Sequence, residues 1–330
     1  PLGLQMNYAY DKIGQLIKEI GKDGKATSYE YDNIGNLIKT TYADGKTIEN
    51  TYDEMGRVTK IENEQGVIQY LYDACGQVTE VVDVNQRKMS YAFTKMGQKR
   101  SMTYPKGQVI SYTYDQRGNL SKVTDITAGT TIYHYNPVGL ITEKLLPNGV
   151  TTEYTYNKLN QLVEQVDRKG TQTLFKATYV DDKNGNCITK TTEDGTTETI
   201  AYQYDAGNQL TKVTDVAGNR TYTYDEFHNR LSKTEEDVTT EYTYNALNQL
   251  LHEKQGTIET SYVYDKRGNL TEVNENGIQK ARYEFNPSNL LSKADNGVSK
   301  TEYQYDGFGN RVNSIVKENG LITEEFDYVV

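Results

Sequence analysis

The stretch Tyr29-Glu30-Tyr31-Asp32-Asn33-Ile34-Gly35-Asn36-Leu37 determines how this chain folds. Its two tyrosines are two residues apart, so both rings lie on one face of a β-strand, whereas in a helix they would point in different directions. The Asp-x-x-Gly that follows is typical of a type I turn, in which Asp accepts backbone hydrogen bonds and Gly adopts a positive φ. The stretch therefore predicts a strand followed by a bulged hairpin turn.

The same pattern recurs along the whole chain. Neighbouring copies are 20 or 21 residues apart, except around residue 182, where the spacing widens to 25 and then 23. A truncated copy begins at Phe326, and only Tyr42 and Tyr104 of the 29 tyrosines lie outside the complete and truncated copies. Such a period indicates a repeat architecture. The Asp position of the motif falls at residues 11, 32, 53, 73, 94, 115, 136, 157, 182, 205, 225, 245, 265, 286 and 306.

Substitutions within the array follow the chemistry of the turn. The Asp position also holds Asn or Thr94, which can accept the same local hydrogen bonds, and the Gly position also holds Asn or His228, residue types that tolerate a positive φ. Halfway between motifs lies a second turn, with pairs such as Asp23-Gly24 and Asn148-Gly149 that favour tight hairpins. Each unit is therefore predicted to be strand, bulged turn, strand and tight turn.

These units predict an all-β protein made of tandem antiparallel β-hairpins that form a long, coiled β-sheet strip. We expect about thirty strands in sequence order, about 60% of residues in strands and no helix longer than a turn or two, far from the usual proportions. A β-propeller is the alternative, but it needs blades of about 40 residues, and nothing here alternates with a doubled period. Residues 4–330 are expected to form a single array of 15 units and a truncated one, and residues 1–3 to be the remnant of a cleaved purification tag.

Composition excludes several classes of partner. The net charge of −10 disfavours nucleic acid, whose phosphates are bound by Lys and Arg, and it also disfavours an anionic membrane surface. No apolar run approaches the roughly 18 residues that would insert into a bilayer. Cys75 and Cys187 form neither a disulfide framework nor a metal cluster.

Catalytic, cofactor-binding and metal-binding residues are not predicted. Paired carboxylates suggest a glycosidase, but the periodic Asp residues are explained by their turns. His134, His228 and His252 share no spacing typical of metal ligands, and the nonapeptide pattern of calcium β-rolls is absent. The chain is therefore expected not to be an enzyme. The candidate site residues are those of the structural motif: Tyr29, Tyr31, Asp32, Gly35, Tyr112, Tyr114, Asp115, Gly118, Tyr262, Tyr264, Asp265, Gly268, Tyr303, Tyr305, Asp306 and Gly309.

The repeated Tyr-x-Tyr-Asp-x-x-Gly-Asn/Gln-Leu units resemble the Tyr-Asp (YD) repeats of bacterial Rhs proteins, wall-associated antibacterial toxins, the BC components of insecticidal Tc toxins and animal teneurins. The resemblance covers essentially residues 4–330. It implies a strip that spirals into a hollow shell, which in the toxins encloses a C-terminal toxic domain. The family's shell-closing segment ends in an Asp-Pro autoproteolysis site, and this chain contains no Asp-Pro pair. The resemblance therefore implies shell wall without plug or cargo.

Two functions follow as hypotheses. The first is a structural segment of a toxin shell, secreted or at the cell surface in association with the cell wall, whose partners are the plug and cargo of its own parent chain. The second is an extracellular adhesion module that binds carbohydrate or protein through its tyrosine ladders, since a tyrosine ring offers an apolar face and a polar tip. We also expect end-to-end self-association, because the edges of an open sheet are templates for pairing.

Overall fold

The computed structural model describes residues 5–329, so the predicted tag remnant, residues 1–3, lies outside the described residues. Within residues 5–329 there is no helix, and 61% of the residues are in strands, as predicted. All strands belong to one antiparallel sheet of 31 strands, which is not closed. Among the described residues, no helix is long and apolar enough to cross a membrane.

The first half of the strands is β1 (Asn7–Tyr10), β2 (Leu16–Ile20), β3 (Ala26–Tyr31), β4 (Leu37–Thr41), β5 (Thr47–Tyr52), β6 (Val58–Asn63), β7 (Gly66–Tyr72), β8 (Val78–Val82), β9 (Lys88–Phe93), β10 (Lys99–Thr103), β11 (Val109–Tyr114), β12 (Leu120–Asp125), β13 (Gly129–Tyr135), β14 (Ile141–Leu145), β15 (Val150–Tyr156) and β16 (Leu162–Lys169). The second half is β17 (Gln172–Asp181), β18 (Cys187–Glu193), β19 (Thr197–Tyr204), β20 (Leu210–Asp215), β21 (Gly218–Tyr224), β22 (Arg230–Glu235), β23 (Val238–Tyr244), β24 (Leu250–Gln255), β25 (Ile258–Tyr264), β26 (Leu270–Glu275), β27 (Ile278–Phe285), β28 (Leu291–Asp295), β29 (Ser299–Tyr305), β30 (Arg311–Glu318) and β31 (Leu321–Asp327).

Most odd-numbered strands carry the aromatic pair, and each of them from β1 to β29 leads into the turn that the Asp-x-x-Gly positions form, here called the motif turn. The even-numbered strand returns and leads into the tight turn predicted halfway between motifs, here called the second turn. In β3 and β4, Tyr29 lies opposite Thr40 and Tyr31 opposite Leu37, and the register shifts between Glu30 and Tyr31. This shift is the β-bulge expected next to the motif turn.

Strands pack on their neighbours in sequence, and the chain divides into two compact units. Unit 1 is Pro1–Ser90 with Thr243–Val330, and unit 2 is Tyr91–Tyr242. Within each unit the strands contact the strands next to them in sequence. In repeat proteins generally, each repeat likewise contacts mainly its neighbours. Because the array is one layer of sheet, most motif tyrosines are half-buried. Among the described residues, the buried hydrophobic side chains are few: Ile61, Ile68, Met89, Val166, Ala177, Val213, Tyr242 and Val312.

The wide spacing around Asp182 is absorbed by longer strands rather than by a loop. β16 has eight residues and β17 has ten, and they are joined by a turn at Gly170-Thr171. The register shifts between Asp167 and Arg168, which accommodates the extra length. The irregular spacing therefore leaves the hairpin repeat intact.

Candidate functional site: the motif turn and the tyrosine clip

The carboxylate of the motif organises its own turn. Oδ1 of Asp32 accepts hydrogen bonds from the backbone N–H groups of Ile34 at 3.0 Å and Asn36 at 2.8 Å. Its Oδ2 accepts a third from the Asn36 side-chain amide at 2.9 Å. In the equivalent turn, the side-chain amide of Asn119, with backbone donors, holds the pKa of Asp115 below its ordinary value. Three donors on one carboxylate explain why Asp is preferred here.

The fourth turn position has the positive φ that its sequence predicted. The φ angle is +87° at Gly118, and the residues that replace glycine adopt the same conformation, with +62° at Asn160 and +68° at His228. The amide N–H of Gly118 donates to the carbonyl of Asp115 at 3.1 Å and closes the turn. The other candidate motifs are built alike, with φ of +95° at Gly35, +96° at Gly268 and +85° at Gly309.

Replacing Gly118 by Val is expected to destabilise the protein by about 1–3 kcal/mol, because a β-branched residue is forced to a positive φ. Gly118→Asn is the matched control and is expected to be much milder, since four copies already carry Asn at this position. Thermal melting of the two variants measures the difference. Equal melting temperatures would contradict the role of φ at this position.

A hydrogen bond that the sequence analysis missed joins at least nine of the described hairpins to the preceding one. The second tyrosine of the motif donates its hydroxyl to a backbone carbonyl at the start of the returning strand in the preceding hairpin. We call this contact the tyrosine clip. The donor–acceptor pairs, at 2.6–2.9 Å, are Tyr31–Leu16, Tyr52–Leu37, Tyr72–Val58, Tyr114–Lys99, Tyr135–Leu120, Tyr156–Ile141, Tyr204–Cys187, Tyr224–Leu210 and Tyr305–Leu291.

The first tyrosine of the motif has more varied surroundings. The hydroxyls of Tyr29 and Tyr262 donate to Glu19 at 3.3 Å and Glu253 at 3.1 Å, within neighbouring strands. The guanidinium of Arg311 lies 4.2 Å from the ring centre of Tyr303, in a cation–π contact. The candidate residues thus meet pairwise in successive hairpins and do not converge on a single pocket.

Removing one clip is expected to lower stability by about 0.5–1.5 kcal/mol, the usual net contribution of a hydrogen bond. Tyr135→Phe keeps the ring and removes the hydroxyl that binds the Leu120 carbonyl. Urea unfolding measures the loss. Tyr133→Phe, which removes a hydroxyl from the first position of the same strand, is the matched control, and an equal loss in both variants would contradict a specific clip.

One repeat has no aromatic residue at the clip position. Asp181 occupies it at the end of β17, where it pairs with Cys187 across the bulge. Asp181→Tyr is expected to raise the melting temperature, because the new hydroxyl can bind the carbonyl of Leu162, the residue equivalent to the clip acceptors. Asp181→Phe is the control that adds the ring without the hydroxyl. If Phe stabilises as much as Tyr, the ring and not the clip is responsible.

The histidines and cysteines are dispersed. His134 lies 3.6 Å from Glu143, and His252 lies 3.0 Å from Glu259, each as an exposed cross-strand pair. Cys75 is exposed, whereas burial raises the pKa of the half-buried Cys187 thiol. Within residues 5–329, no group of three or more His, Cys, Asp or Glu side chains is arranged to hold a metal ion.

Unit 1 contains a second kind of contact, between residues more than 200 positions apart. Motif turns of its C-terminal segment lie against second turns of its N-terminal segment. Arg267 Nε binds Asp23 Oδ2 at 2.8 Å, and the Asn63 side-chain amide donates to the Tyr305 carbonyl at 2.9 Å. Burial acts to raise the pKa of Asp23, but the backbone N–H of Lys25 and the charge of Arg267 outweigh it and lower the pKa. We call this set of contacts the edge contact.

Repeated motif turns, bulged registers and clips define a tandem β-hairpin repeat protein with one open antiparallel sheet. A family model for the teneurin YD-shell matches residues 3–122 and 171–328, and a model for the RHS repeat matches residues 135–172. The first model covers well over half of the chain, and the chain therefore belongs to the teneurin YD-shell family.

Solved structures share this fold. The crystal structure of TcdB2-TccC3-Cdc42 superposes with a TM-score of 0.70 at 14% identity, over 97% of this chain and 22% of the other. That of TcdB2-TccC3 gives a TM-score of 0.63 at 15% identity, over 93% of this chain and 21% of the other. The chain thus spans about a fifth of the length of these relatives, and the likeness shows the fold. Among curated protein sequences, no significant match is found. The chain is a segment of a YD/Rhs-type shell.

Proposed function

We propose that this chain is a non-catalytic part of the wall of a hollow shell, secreted or at the cell surface, that encloses a toxic C-terminal domain of its parent protein. The observation that carries the proposal is the tyrosine clip, which recurs between Tyr31 and Tyr305 and ties most hairpins to the preceding one. A wall that is one sheet thick has little hydrophobic core to stabilise it. Hydrogen bonds repeated between successive hairpins would therefore help to keep the wall continuous around a cargo. Membership in a shell family supports the same function.

The tyrosines are less suited to the alternative function, adhesion to carbohydrate. Stacking on a sugar needs an open ring face and benefits from a free hydroxyl. The second tyrosine of most motifs donates its hydroxyl to the backbone, and burial raises the pKa of several, including Tyr52 and Tyr135. The tyrosine ladder therefore serves packing better than it serves recognition.

Protection of the cargo tests the proposal. The parent protein is treated with protease under native conditions, and its C-terminal domain is expected to stay intact. A variant in which the clips of Tyr114, Tyr135 and Tyr156 are removed by Phe substitution is expected to admit the protease sooner. The matched control is a triple variant that keeps the clips. It changes Thr113, His134 and Thr155, the residues that follow the first tyrosines of the same three motifs, to Ala. A C-terminal domain cleaved as fast in the unaltered protein as in free solution would refute encapsulation.

A glycan array on the isolated chain tests the alternative. We expect no saturable binding, and neither a chelator nor added metal is expected to change its thermal stability. Specific glycan binding that is lost when exposed tyrosines are changed to Ala would favour adhesion instead.

A further inference from the structure

The edge contact in unit 1 follows a fixed rule. Its partners are separated by nearly the same number of residues: 244 for Arg267 and Asp23, 242 for Tyr305 and Asn63, and 241 for Tyr328, whose carbonyl accepts from Arg87. In each case the motif turn, or the copy that begins at Phe326, meets a second turn. The two surfaces are different, so the contact is heterologous. Unless a heterologous contact closes into a ring, it leaves one unpaired surface at each end, to which a further copy can bind.

The third residue of the motif turn supplies the side chain that reaches across. Phe308 occupies this position and packs edge-on against Tyr70, with ring centres 5.7 Å apart. Arg267 occupies the same position two motifs earlier and makes the ion pair with Asp23. Both side chains leave their own hairpin and bind the N-terminal segment of the unit.

In eight other motif turns the same third position carries a large apolar side chain that is exposed. A type I turn has no need of an apolar residue at this position, and exposed apolar side chains that together form a patch mark an interaction site. We call them the docking row. Its members, with their exposed fractions, are Ile13 (81%), Ile34 (78%), Met55 (75%) and Leu247 (39%) in unit 1, and Met96 (85%), Val138 (66%), Leu159 (76%) and Phe227 (64%) in unit 2.

Charge matches the two kinds of turn to each other. The second position of several motif turns is a lysine: Lys12, Lys95, Lys158, Lys183 and Lys266. Many second turns are acidic, and they contain Asp23, Asp44, Asp125, Asp194, Glu236 and Asp237. The pair of Arg267, at the third position of its motif turn, with Asp23 shows a motif-turn cation bound to an acidic second turn. Opposite charges of this kind orient two surfaces and exclude the reverse pairing.

We propose that the docking row is an interaction surface that binds the second-turn edge of a second copy of this chain. The occupant is inferred from the edge contact, in which two third-position side chains, Arg267 and Phe308, already bind another segment of the same molecule. A second copy offers the same acidic second turns and carries a docking row of its own. Association by this route adds molecules one after another, because each copy both gives and receives the contact.

Sedimentation equilibrium over a range of protein concentrations tests the proposal. The unaltered chain is expected to self-associate, and the triple variant Ile13→Glu, Ile34→Glu, Met55→Glu is expected to weaken association at least about tenfold, as burying unpaired charge at an interface does. The matched control is Leu71→Glu, Val180→Glu, Val263→Glu, which places the same charges on exposed apolar positions within strands. The control is expected to associate like the unaltered chain.

A third variant separates docking from extension of the sheet. Ile322→Lys with Phe326→Lys places charges on the terminal strand β31, which would block its pairing with another sheet edge. If this variant alone abolishes association, or if the unaltered chain is monomeric at every concentration, the docking row is not the interface. If association is lost in the docking-row variant and is kept in the control and in the β31 variant, the docking row is the interface. The encapsulation proposal is tested separately, by protection of the cargo from protease. Neither outcome of the association experiment therefore decides it.

Discussion

Raising the pH above about 10 is expected to unfold this protein cooperatively, well before a protein with few buried tyrosines would respond. Partial burial raises the pKa of twelve tyrosines, and for Tyr29, where the nearby Glu19 carboxylate adds to burial, it raises the pKa from 10.0 to about 12. The others are Tyr52, Tyr72, Tyr91, Tyr112, Tyr135, Tyr154, Tyr156, Tyr202, Tyr204, Tyr224 and Tyr264.

The direction of the effect follows from proton linkage. Between the ordinary tyrosine pKa of about 10 and the raised values, the unfolded chain releases protons that the folded chain retains. The free energy of unfolding is therefore at its full value below pH 10 and falls as the pH rises toward 12, with a slope that grows with the number of tyrosines involved. A clip tyrosine that ionises also loses the proton that it donates to the backbone.

Circular dichroism and tyrosinate absorbance, followed together during an alkaline titration, measure this prediction. The two signals are expected to change at the same pH, because the tyrosines ionise as the sheet unfolds. Tyr29→Phe is the informative variant, since it removes the most strongly shifted group and is expected to make the loss of stability less steep. Full ionisation of the tyrosines with an unchanged dichroism spectrum would contradict the prediction.

The repeat and its turns could be predicted from sequence because their determinants are local. Asp32, Gly35 and the aromatic pair act within nine residues, and the array itself supplies the permitted substitutions, such as Asn160 and His228. The number and order of the strands follow from the count of turns. These features need no knowledge of how one hairpin meets the next.

The tyrosine clip could not be derived in the same way. It depends on the position of one hairpin on its neighbour, across 14, 15 or 17 residues of intervening chain. A signal was nevertheless present, because the second aromatic position is nearly always Tyr, and Phe appears there only at Phe93, Phe285 and in the truncated copy at Phe326. Packing alone would accept either residue, so the preference for Tyr indicates a use for the hydroxyl.

The edge contact lies further still from what sequence can reveal. Its partners are about 240 residues apart in the chain, and no local sequence pattern specifies which residues meet across that separation. One residue of the sequence, Gly307, reflects the edge contact. The second position of the motif turn elsewhere holds Lys, Asn, Glu, Ala, Gln or Pro, but it holds glycine at Gly307. At this point the motif turn lies directly against Ile61 of the N-terminal segment of unit 1.

Gly307→Ala is expected to destabilise the protein by about 1–3 kcal/mol, the usual cost of overpacking. A methyl group at this position would overlap Cγ2 of Ile61, which is 3% exposed, and would lie 3.4 Å from Cγ2 of Ile48. The backbone of Gly307 does not have a positive φ, so conformation alone would make the substitution neutral or stabilising by about 0.4–1 kcal/mol. The sign of the change therefore distinguishes close packing from backbone freedom.

Gly207→Ala is the matched control, because Gly207 also lies in a motif turn without a positive φ and meets only the carboxylate of Asp205, at 3.3 Å, and the side chain of Gln209, at 3.8 Å. It is expected to be neutral or slightly stabilising in the same thermal melts. Hydrogen exchange adds a local readout. Gly307→Ala should speed the exchange of backbone amides in β6, the strand that ends at Asn63, whose side-chain amide binds the carbonyl of Tyr305. A small stabilisation by both substitutions would show that the motif turn at Gly307 does not pack tightly against Ile61.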